Sequence, residues 1–242
     1  MVNEVISLLG MKNIFSDSAM LWVFFFYGLG FLILAGLVFL KKRKLVDVDL
    51  TKSFYFLGLF GLIHGLTEWV DFSRLFIKLN YNLSFIWLDI SKVILLTVSF
   101  LFLLQFGINL LTLKKDNLKS VRYLPLVLGI LFFVYTLSSG ILGSSELLAR
   151  YGFGFSGSLI STVALFIVFR KTLLINSDLK LGAFLMFLSF FVYTIFGGFI
   201  TFTLYGVPLQ FIRMLCALLA GFASFSFLGV LEKGLGKSVR RK

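Results

Sequence analysis

The side chains best suited to chemistry in this 242-residue chain lie in one short stretch, residues 61–71. It contains the only histidine of the chain, His64, with Glu68 and Asp71 in an otherwise apolar setting. In a helix, successive members of this set are one turn apart, so all three side chains point to roughly the same side. Ionisable groups at membrane depth are costly and usually mark a functional site. The stretch therefore predicts a polar site on one helix face; the alternative is a capped helix end at the lipid headgroups.

Further polar side chains are expected at the same end of neighbouring helices. Asp89 and Lys92 are one turn apart and could pair with each other. Arg213 enters the last apolar segment one turn from its start, and such an arginine is expected to seek a carboxylate, with Glu68 or Asp71 as candidates. The predicted ligand-binding residues are His64, Glu68, Trp69, Asp71, Asp89, Lys92, Gln210 and Arg213. Glu146 and Arg150 either complete the rim of this site or form a solvated loop pair.

Metal binding is one interpretation of this cluster, because His64 and Glu68 could ligate one divalent ion, with Asp71 or Asp89 as a third ligand. Zinc hydrolases usually supply three ligands rich in histidine, so a metal-dependent membrane hydrolase is the weakest interpretation. The sequence contains no Gly-x-Ser-x-Gly nucleophile motif. Its single cysteine, Cys216, excludes an internal disulfide and a multi-cysteine metal site. We therefore predict no catalytic residue.

The composition places these residues in a membrane. Hydrophobic residues make up 59% of the chain and charged residues 14%, and the mean hydropathy is +1.01, which is more apolar than a soluble domain requires. Two prolines and long apolar runs favour helices over a barrel, whose strands would show a short alternating pattern. The expected fold is an all-α integral membrane protein.

A helix of about 20 apolar residues is needed to cross a hydrocarbon core of roughly 30 Å, and seven segments of the chain have about this length. They cover approximately residues 19–40, 53–71, 85–113, 123–142, 153–169, 181–203 and 209–231. The predicted organisation is a short extracytoplasmic segment 1–18, a seven-helix transmembrane domain 19–231 and a basic cytoplasmic tail 232–242.

The net charge of +12 is distributed unevenly over these segments. Most lysines and arginines fall on one side, in stretches such as 41–44, 114–122 and 233–242. By the positive-inside rule, that side is cytoplasmic, which places the amino terminus outside and the carboxyl terminus inside. The anionic inner leaflet of the bilayer is a sufficient partner for this charge, and no nucleic acid is needed to explain it.

Two of the predicted spans share a short sequence. FFVYTLSSGIL at residues 132–142 and FFVYTIFGGFI at residues 190–200 are identical at six of eleven positions. The similarity indicates either an internal duplication, giving one helix plus three helical hairpins, or chance in a phenylalanine-rich chain.

The segments HGLTEWVD at residues 64–71 and GVPLQFIR at residues 206–213 resemble the amino-terminal multi-helix membrane sensory modules of some bacterial histidine kinases and diguanylate cyclases. The resemblance extends over most of the chain. It implies a location in the bacterial cytoplasmic (inner) membrane and a ligand site in the outer half of spans two, three and seven. It also implies signalling through the last helix to a cytoplasmic kinase or cyclase output domain. These 242 residues contain no kinase or cyclase motif, so the chain is either an excised sensory module or a stand-alone relative that signals through a partner. A homodimer is a separate expectation.

The main alternative is a small secondary transporter, in which the same polar cluster is a substrate or proton site and the shared hairpin is a transport repeat. The inner halves of the predicted spans show no matching polar path, which favours the sensory interpretation.

Overall fold

The computed structural model describes residues 17–42, 48–113, 115–139, 142–172, 177–199 and 209–239, and these form helices and short connections with no strand. The α-helices are α1 Asp17–Lys42, α2 Val48–Tyr81, α3 Ile86–Leu111, α4 Leu124–Ser139, α5 Leu142–Leu148, α6 Ser156–Thr172, α7 Ser177–Tyr193 and α8 Leu209–Val239. A 3₁₀ helix, Asp116–Tyr123, precedes α4. Two π-helical segments, Ala149–Phe155 and Thr194–Phe199, follow α5 and α7.

Among the described residues, six helical stretches are long and apolar enough to cross a membrane, which confirms the prediction of a multi-pass, all-helical membrane protein. They are Ser18–Lys41, Ile86–Leu111, Asn117–Ser138, Ser145–Lys171, Leu179–Gly197 and Leu209–Glu232. The predicted span 53–71 lies in α2, whose hydropathy is lowered by the buried polar side chains His64, Thr67 and Glu68. Seven spans therefore remain a prediction.

Several predicted boundaries differ from the observed ones. Helix α2 continues ten residues beyond position 71 to Tyr81, and the helix predicted to begin at 153 begins at Leu142. Glu146 and Arg150 consequently lie on helical backbone and not in a loop. Residues 1–16, most of the predicted amino-terminal segment, and the 206–208 turn lie outside the described residues.

Six helices form a closed ring in chain order. Helix α1 packs on α2, α2 on α3, α3 on α6, α6 on α7, α7 on α8, and α8 returns to α1. Helix α4 lies outside the ring against α3. The two copies of the shared sequence thus have different surroundings: Tyr135 on α4 is 55% exposed, whereas the corresponding Tyr193 at the end of α7 is buried.

Helices α1 and α2 cross at two glycines. A Cβ atom added to Gly65 would lie 2.8 Å from the carbonyl oxygen of Gly28, and one added to Gly28 would lie 2.9 Å from that of Gly65. Small residues permit such backbone contact between membrane helices. Since Gly65 follows His64 directly, this crossing fixes the position of the histidine against α1.

Candidate ligand-binding cavity

A polar cavity of about 580 Å³ lies at the end of the ring where α2 ends and α3 begins. Side chains from α1, α2, α3, α5 with its π-helical extension, and α8 line it. Charged groups of both signs contribute: the carboxylates of Glu68, Asp71, Asp89 and Glu146, and the cations of Arg74, Lys78, Lys92, Arg150 and Arg213. We call this end of the bundle the cavity end. The other end carries Lys41, Lys52, Lys115, Lys119, Arg122, Arg170 and Lys171, and we call it the basic end.

Lys92 joins three helical elements on one wall of the cavity. Its Nζ lies 3.0 Å from Oδ1 of Asp71 on α2 and 3.0 Å from Oε1 of Glu146 on α5. The same oxygen of Glu146 accepts a hydrogen bond of 3.1 Å from Nε of Arg150. The Lys92 side chain is only 10% exposed, so water screens these contacts weakly. The pairing of Glu146 with Arg150 and their place on the rim are thus observed.

Arg74 extends the same network toward the cavity mouth. Its Nη1 donates to Oδ1 of Asp71 at 2.8 Å, and its Nη2 contacts Oδ1 of Asp89. The expected pairing of Asp89 with Lys92 is therefore wrong: Asp89 binds Arg74, and Lys92 turns to Asp71 and Glu146. Partners from neighbouring helices replace the local partner, because the crossing of the helices brings opposite charges closer than one turn of α3 does.

Glu68 is the exception in this charged lining. The residue is 2% exposed, and its Oε1 has no hydrogen-bond partner among the described residues. The nearest cationic or titratable nitrogen is Nε2 of His64 at 3.7 Å, which is beyond hydrogen-bond distance. A buried carboxyl oxygen without a partner is unfavourable by about 1–3 kcal/mol or more. The cavity thus contains one acceptor that the described residues leave unsatisfied.

His64 is fixed behind Glu68 by three hydroxyl groups. Nδ1 lies 3.1 Å from Oγ of Ser99, and Nε2 lies 3.3 Å from Oη of Tyr27 and 3.4 Å from Oη of Tyr193. Ser99 donates its only hydroxyl proton to the carbonyl oxygen of Leu96 at 2.7 Å. Ser99 must therefore accept from Nδ1–H, which assigns the proton to Nδ1 and leaves Nε2 to accept from a tyrosine.

An aromatic layer closes the polar site toward the middle of the bundle. The ring of His64 lies 4.5 Å, centroid to centroid, from Phe31 and 5.3 Å from both Phe60 and Phe100. All three phenylalanines are buried. The polar side chains of the cavity are thus separated from the basic end by packed rings.

Helix α8 reaches the cavity through its first turns. Arg213 is buried, and its Nε donates to the carbonyl oxygen of Phe196 at 2.6 Å. We expected Glu68 or Asp71 as the partner of this arginine; among the described contacts, its Nε instead binds a main-chain carbonyl of the π-helical segment after α7. The other π-helical segment supplies Arg150 to the cavity. The two segments pack against each other, and such π-bulges occur frequently at functional sites.

Six of the eight predicted ligand-binding residues line the cavity: Glu68, Asp71, Asp89, Lys92, Gln210 and Arg213. His64 lies behind them. Trp69 packs on α1, where its ring is stacked on Phe25 at 6.1 Å and its Nε1 donates to the Phe25 carbonyl.

Several polar groups around the site were not predicted from the sequence, among them Arg74, Lys78, Tyr27, Ser99 and Tyr193. Arg74, three residues after Asp71, could have been found from its helical spacing. Ser99, Tyr27 and Tyr193 give no such signal, because a serine or tyrosine in an apolar helix resembles an ordinary packing residue.

Within the described parts of the chain, no three His, Cys, Asp or Glu side chains lie close enough to hold a metal ion. The proposed ligand set of His64, Glu68 and Asp71 is divided, because Asp71 turns to Arg74 and Lys92 while His64 binds hydroxyl groups. The described residues therefore give the divalent-metal interpretation no ligand set.

The arrangement is suited to holding a small polar molecule, since cationic hydrogen-bond donors and carboxylate acceptors converge on one partly enclosed cavity. No protein-family model, curated protein or solved structure matches this chain.

Proposed function

We propose that this protein is a membrane sensory module that binds a small polar ligand in the cavity and transmits binding through α8. The observation that carries the proposal is the unsatisfied Oε1 of buried Glu68 in the cavity lining. A ligand with an N–H or O–H donor would give this oxygen a hydrogen bond and so remove the free-energy penalty of its missing partner. That gain would contribute to affinity.

The lining indicates the kind of ligand. Five cations and four carboxylates border the cavity, and many of them already pair with each other. A zwitterion, such as a free amino acid, can place a donor at Glu68 and an anionic group among the arginines without leaving either charge unpaired. A strongly charged ion of one sign would meet repulsion from part of the lining.

The length of α8 supports a role in output. The helix has 31 residues, which corresponds to about 46 Å, more than a hydrocarbon core of roughly 30 Å. Arg213 lies in its second turn at the cavity, and at the basic end Glu232 is 3.5 Å from Lys41 of α1. A ligand that favours one position of Arg213 would bias the packing of the whole helix and shift its basic end.

The aromatic layer below His64 supports sensing over transport. A transporter needs a route from its site to the second side of the membrane, and Phe31, Phe60 and Phe100 fill this direction. Uptake into proteoliposomes of a molecule that binds the cavity would contradict the sensory proposal.

We also propose that α2 is a seventh span. It packs between α1 and α3 in the ring, so neighbouring helices cover the polar side chains that lower its hydropathy. The cavity end would then face outside and the basic end the cytoplasm.

In a Cys216→Ala background, a membrane-impermeant maleimide should label Ser84→Cys in intact bacterial cells and Lys115→Cys only after lysis. The reverse pattern would contradict this orientation.

The ligand proposal can be tested by native mass spectrometry of the full chain in mild detergent, after incubation with a panel of free amino acids and small organic anions. We expect a panel member to bind wild type and to bind Glu68→Gln at least about tenfold more weakly, as expected for one charged hydrogen bond. Glu232→Gln is the matched control, because it removes a carboxylate of α8 at the basic end. Equal binding to both variants, or no binding to wild type, would contradict the proposed site.

A further inference from the structure

A second cavity lies at the basic end, between the peripheral helix α4 and helices α2 and α3. It is a groove of about 710 Å³. Three cations line it, Lys52, Lys119 and Arg122, and the described lining contains no carboxylate. The groove is therefore complementary to an anionic group, in contrast to the first cavity with its mixed charges.

The polarity of the lining changes in order along α3. The cations lie beyond its carboxyl-terminal end and at the start of α2. Asn109 and Gln105 follow at roughly 3 Å and 9 Å from Leu111, the last residue of α3, and Val98 at roughly 20 Å, by the rise of an α-helix. The deeper lining is apolar and aromatic: Phe56, Val98, Leu101, Phe102, Ile130 and Phe133.

Two amide side chains lie where the groove changes from charged to apolar. Nε2 of Gln105 donates to Oδ1 of Asn109 at 2.8 Å, along one turn of α3. Asn109 is 7% exposed. An amide group of this kind can donate to a further acceptor, and ester carbonyl groups are acceptors of the required kind.

We propose that this groove is a binding site for one anionic phospholipid of the bilayer. The phosphate lies at Lys52 and Lys119, the glycerol esters lie beside Gln105 and Asn109, and an acyl chain lies along Phe102 and Ile130. A phospholipid presents phosphate, ester and hydrocarbon in the same order as the groove presents cations, amides and apolar side chains. The lipid fills the space between α2 and α4, since α4 packs on α3 and the groove separates it from α2.

Arg122 has a structural role beside this site. Its Nε and Nη2 donate to Oγ1 and to the carbonyl oxygen of Thr112, each at 2.9 Å, and so hold the 3₁₀ helix against the end of α3. A test of lipid binding should leave this residue unchanged. Lys52 and Lys119 are exposed, so their replacement by glutamine is compatible with folding.

The test is native mass spectrometry of the full chain in mild detergent with dioleoyl phosphatidylglycerol, and with dioleoyl phosphatidylcholine as the lipid without net charge. Wild type should retain one phosphatidylglycerol in preference to phosphatidylcholine. The double variant Lys52→Gln/Lys119→Gln should bind phosphatidylglycerol at least about tenfold more weakly, as expected for the loss of two lysines facing an anionic lipid.

The matched control is Lys115→Gln/Lys171→Gln, which removes the same charge at the basic end outside the groove. It should bind phosphatidylglycerol as wild type does. An equal loss in both double variants would overturn the proposal in favour of diffuse attraction to the basic surface. Glycerophosphoglycerol, the headgroup without acyl chains, should not compete with the lipid; if it binds as tightly, the groove is an anion site and the proposal is wrong.

Discussion

Oε1 of Glu68 lies 3.7 Å from Nε2 of His64, one turn earlier on the same helix, with both side chains buried. The two nearest hydroxyl groups, of Tyr27 and Tyr193, are closer to that nitrogen than the carboxylate is. Nε2 of the histidine thus accepts from a tyrosine hydroxyl, and the carboxyl group of Glu68 is left facing the cavity. The two side chains are consequently in packing contact and do not form a stabilising ion pair.

Glu68→Gln should stabilise the ligand-free protein, whereas Glu146→Gln should destabilise it. The first change replaces a buried carboxyl group by an amide, which costs less to bury than an ionisable acid, and we expect the free energy of unfolding to rise by about 1 kcal/mol. The second removes the charge that binds Lys92 and Arg150, and we expect a loss of about 1–2 kcal/mol. Thermal unfolding in detergent measures both. A similar loss in the two variants would show that Glu68 contributes to stability as Glu146 does.

The tautomer of His64 can be observed directly, because the chain has one histidine. Protein labelled with ¹⁵N-histidine should show a neutral ring with the proton on Nδ1, since Ser99 accepts from that nitrogen. Ser99→Ala should shift the population toward the Nε2–H form. Ser189→Ala is the control, because this buried serine bonds to Met186. A proton found on Nε2 in wild type would contradict the hydrogen-bond assignment.

The shared sequence supplies a matched pair of tyrosines. Tyr193→Phe removes a hydroxyl group 3.4 Å from Nε2 of His64, and we expect a loss of about 1 kcal/mol in unfolding free energy and a change in the histidine ¹⁵N shifts. Tyr135→Phe, at the corresponding position of α4, should change stability by less than about 0.5 kcal/mol because Tyr135 is exposed. Equal effects would mean that the two copies have equivalent surroundings.

The helical class and most spans could be predicted because apolar length alone determines them. The arrangement of the helices could not. With 32 phenylalanines in the chain, nearly every face of every span is apolar, so no periodicity distinguishes a face toward another helix from one toward lipid. The position of α4 outside the ring therefore has no sequence signal. The helical start of α5 was hidden by the mixed polarity of residues 142–152.

The site was predictable where a charged residue interrupts an apolar segment, as Glu68, Lys92 and Arg213 do. Their pairings were not, because Lys92 has Asp89 one turn away in sequence, and only the crossing of α2, α3 and α5 selects Asp71 and Glu146. Helical spacing ranks partners within one helix and gives no information about partners on another.

Lys92→Met should be among the most destabilising single changes at the cavity. It leaves Asp71 and Glu146 without a shared, largely buried cation, and we expect a loss of about 3 kcal/mol, the lower part of the range for breaking a buried pair, since Arg74 and Arg150 remain. Lys78→Met is the control, because Lys78 is exposed in the same lining. Thermal unfolding of both variants tests the difference. A loss below about 1 kcal/mol for Lys92→Met would mean that water or the arginines replace its role.

The crossing of α1 and α2 should be sensitive to a single methyl group. In Gly65→Ala, the new Cβ would lie 2.8 Å from the carbonyl oxygen of Gly28, which belongs to main chain that cannot rotate away. The helices must therefore separate, and we expect a loss of about 1–3 kcal/mol, as for other insertions into a packed core. His64 would move with α2, so its ¹⁵N shifts should change as well.

Gly36→Ala is the matched control for this crossing. Gly36 lies on α1, and a Cβ at this position would have no heavy atom within 4 Å. Alanine should therefore stabilise the helix by about 0.5–1 kcal/mol through its lower backbone entropy. We therefore expect the two alanine variants to change the free energy of unfolding in opposite directions, which one thermal unfolding experiment can measure. If Gly65→Ala were as stable as Gly36→Ala and left the histidine shifts unchanged, the contact between the two glycines could not be what holds His64 against α1.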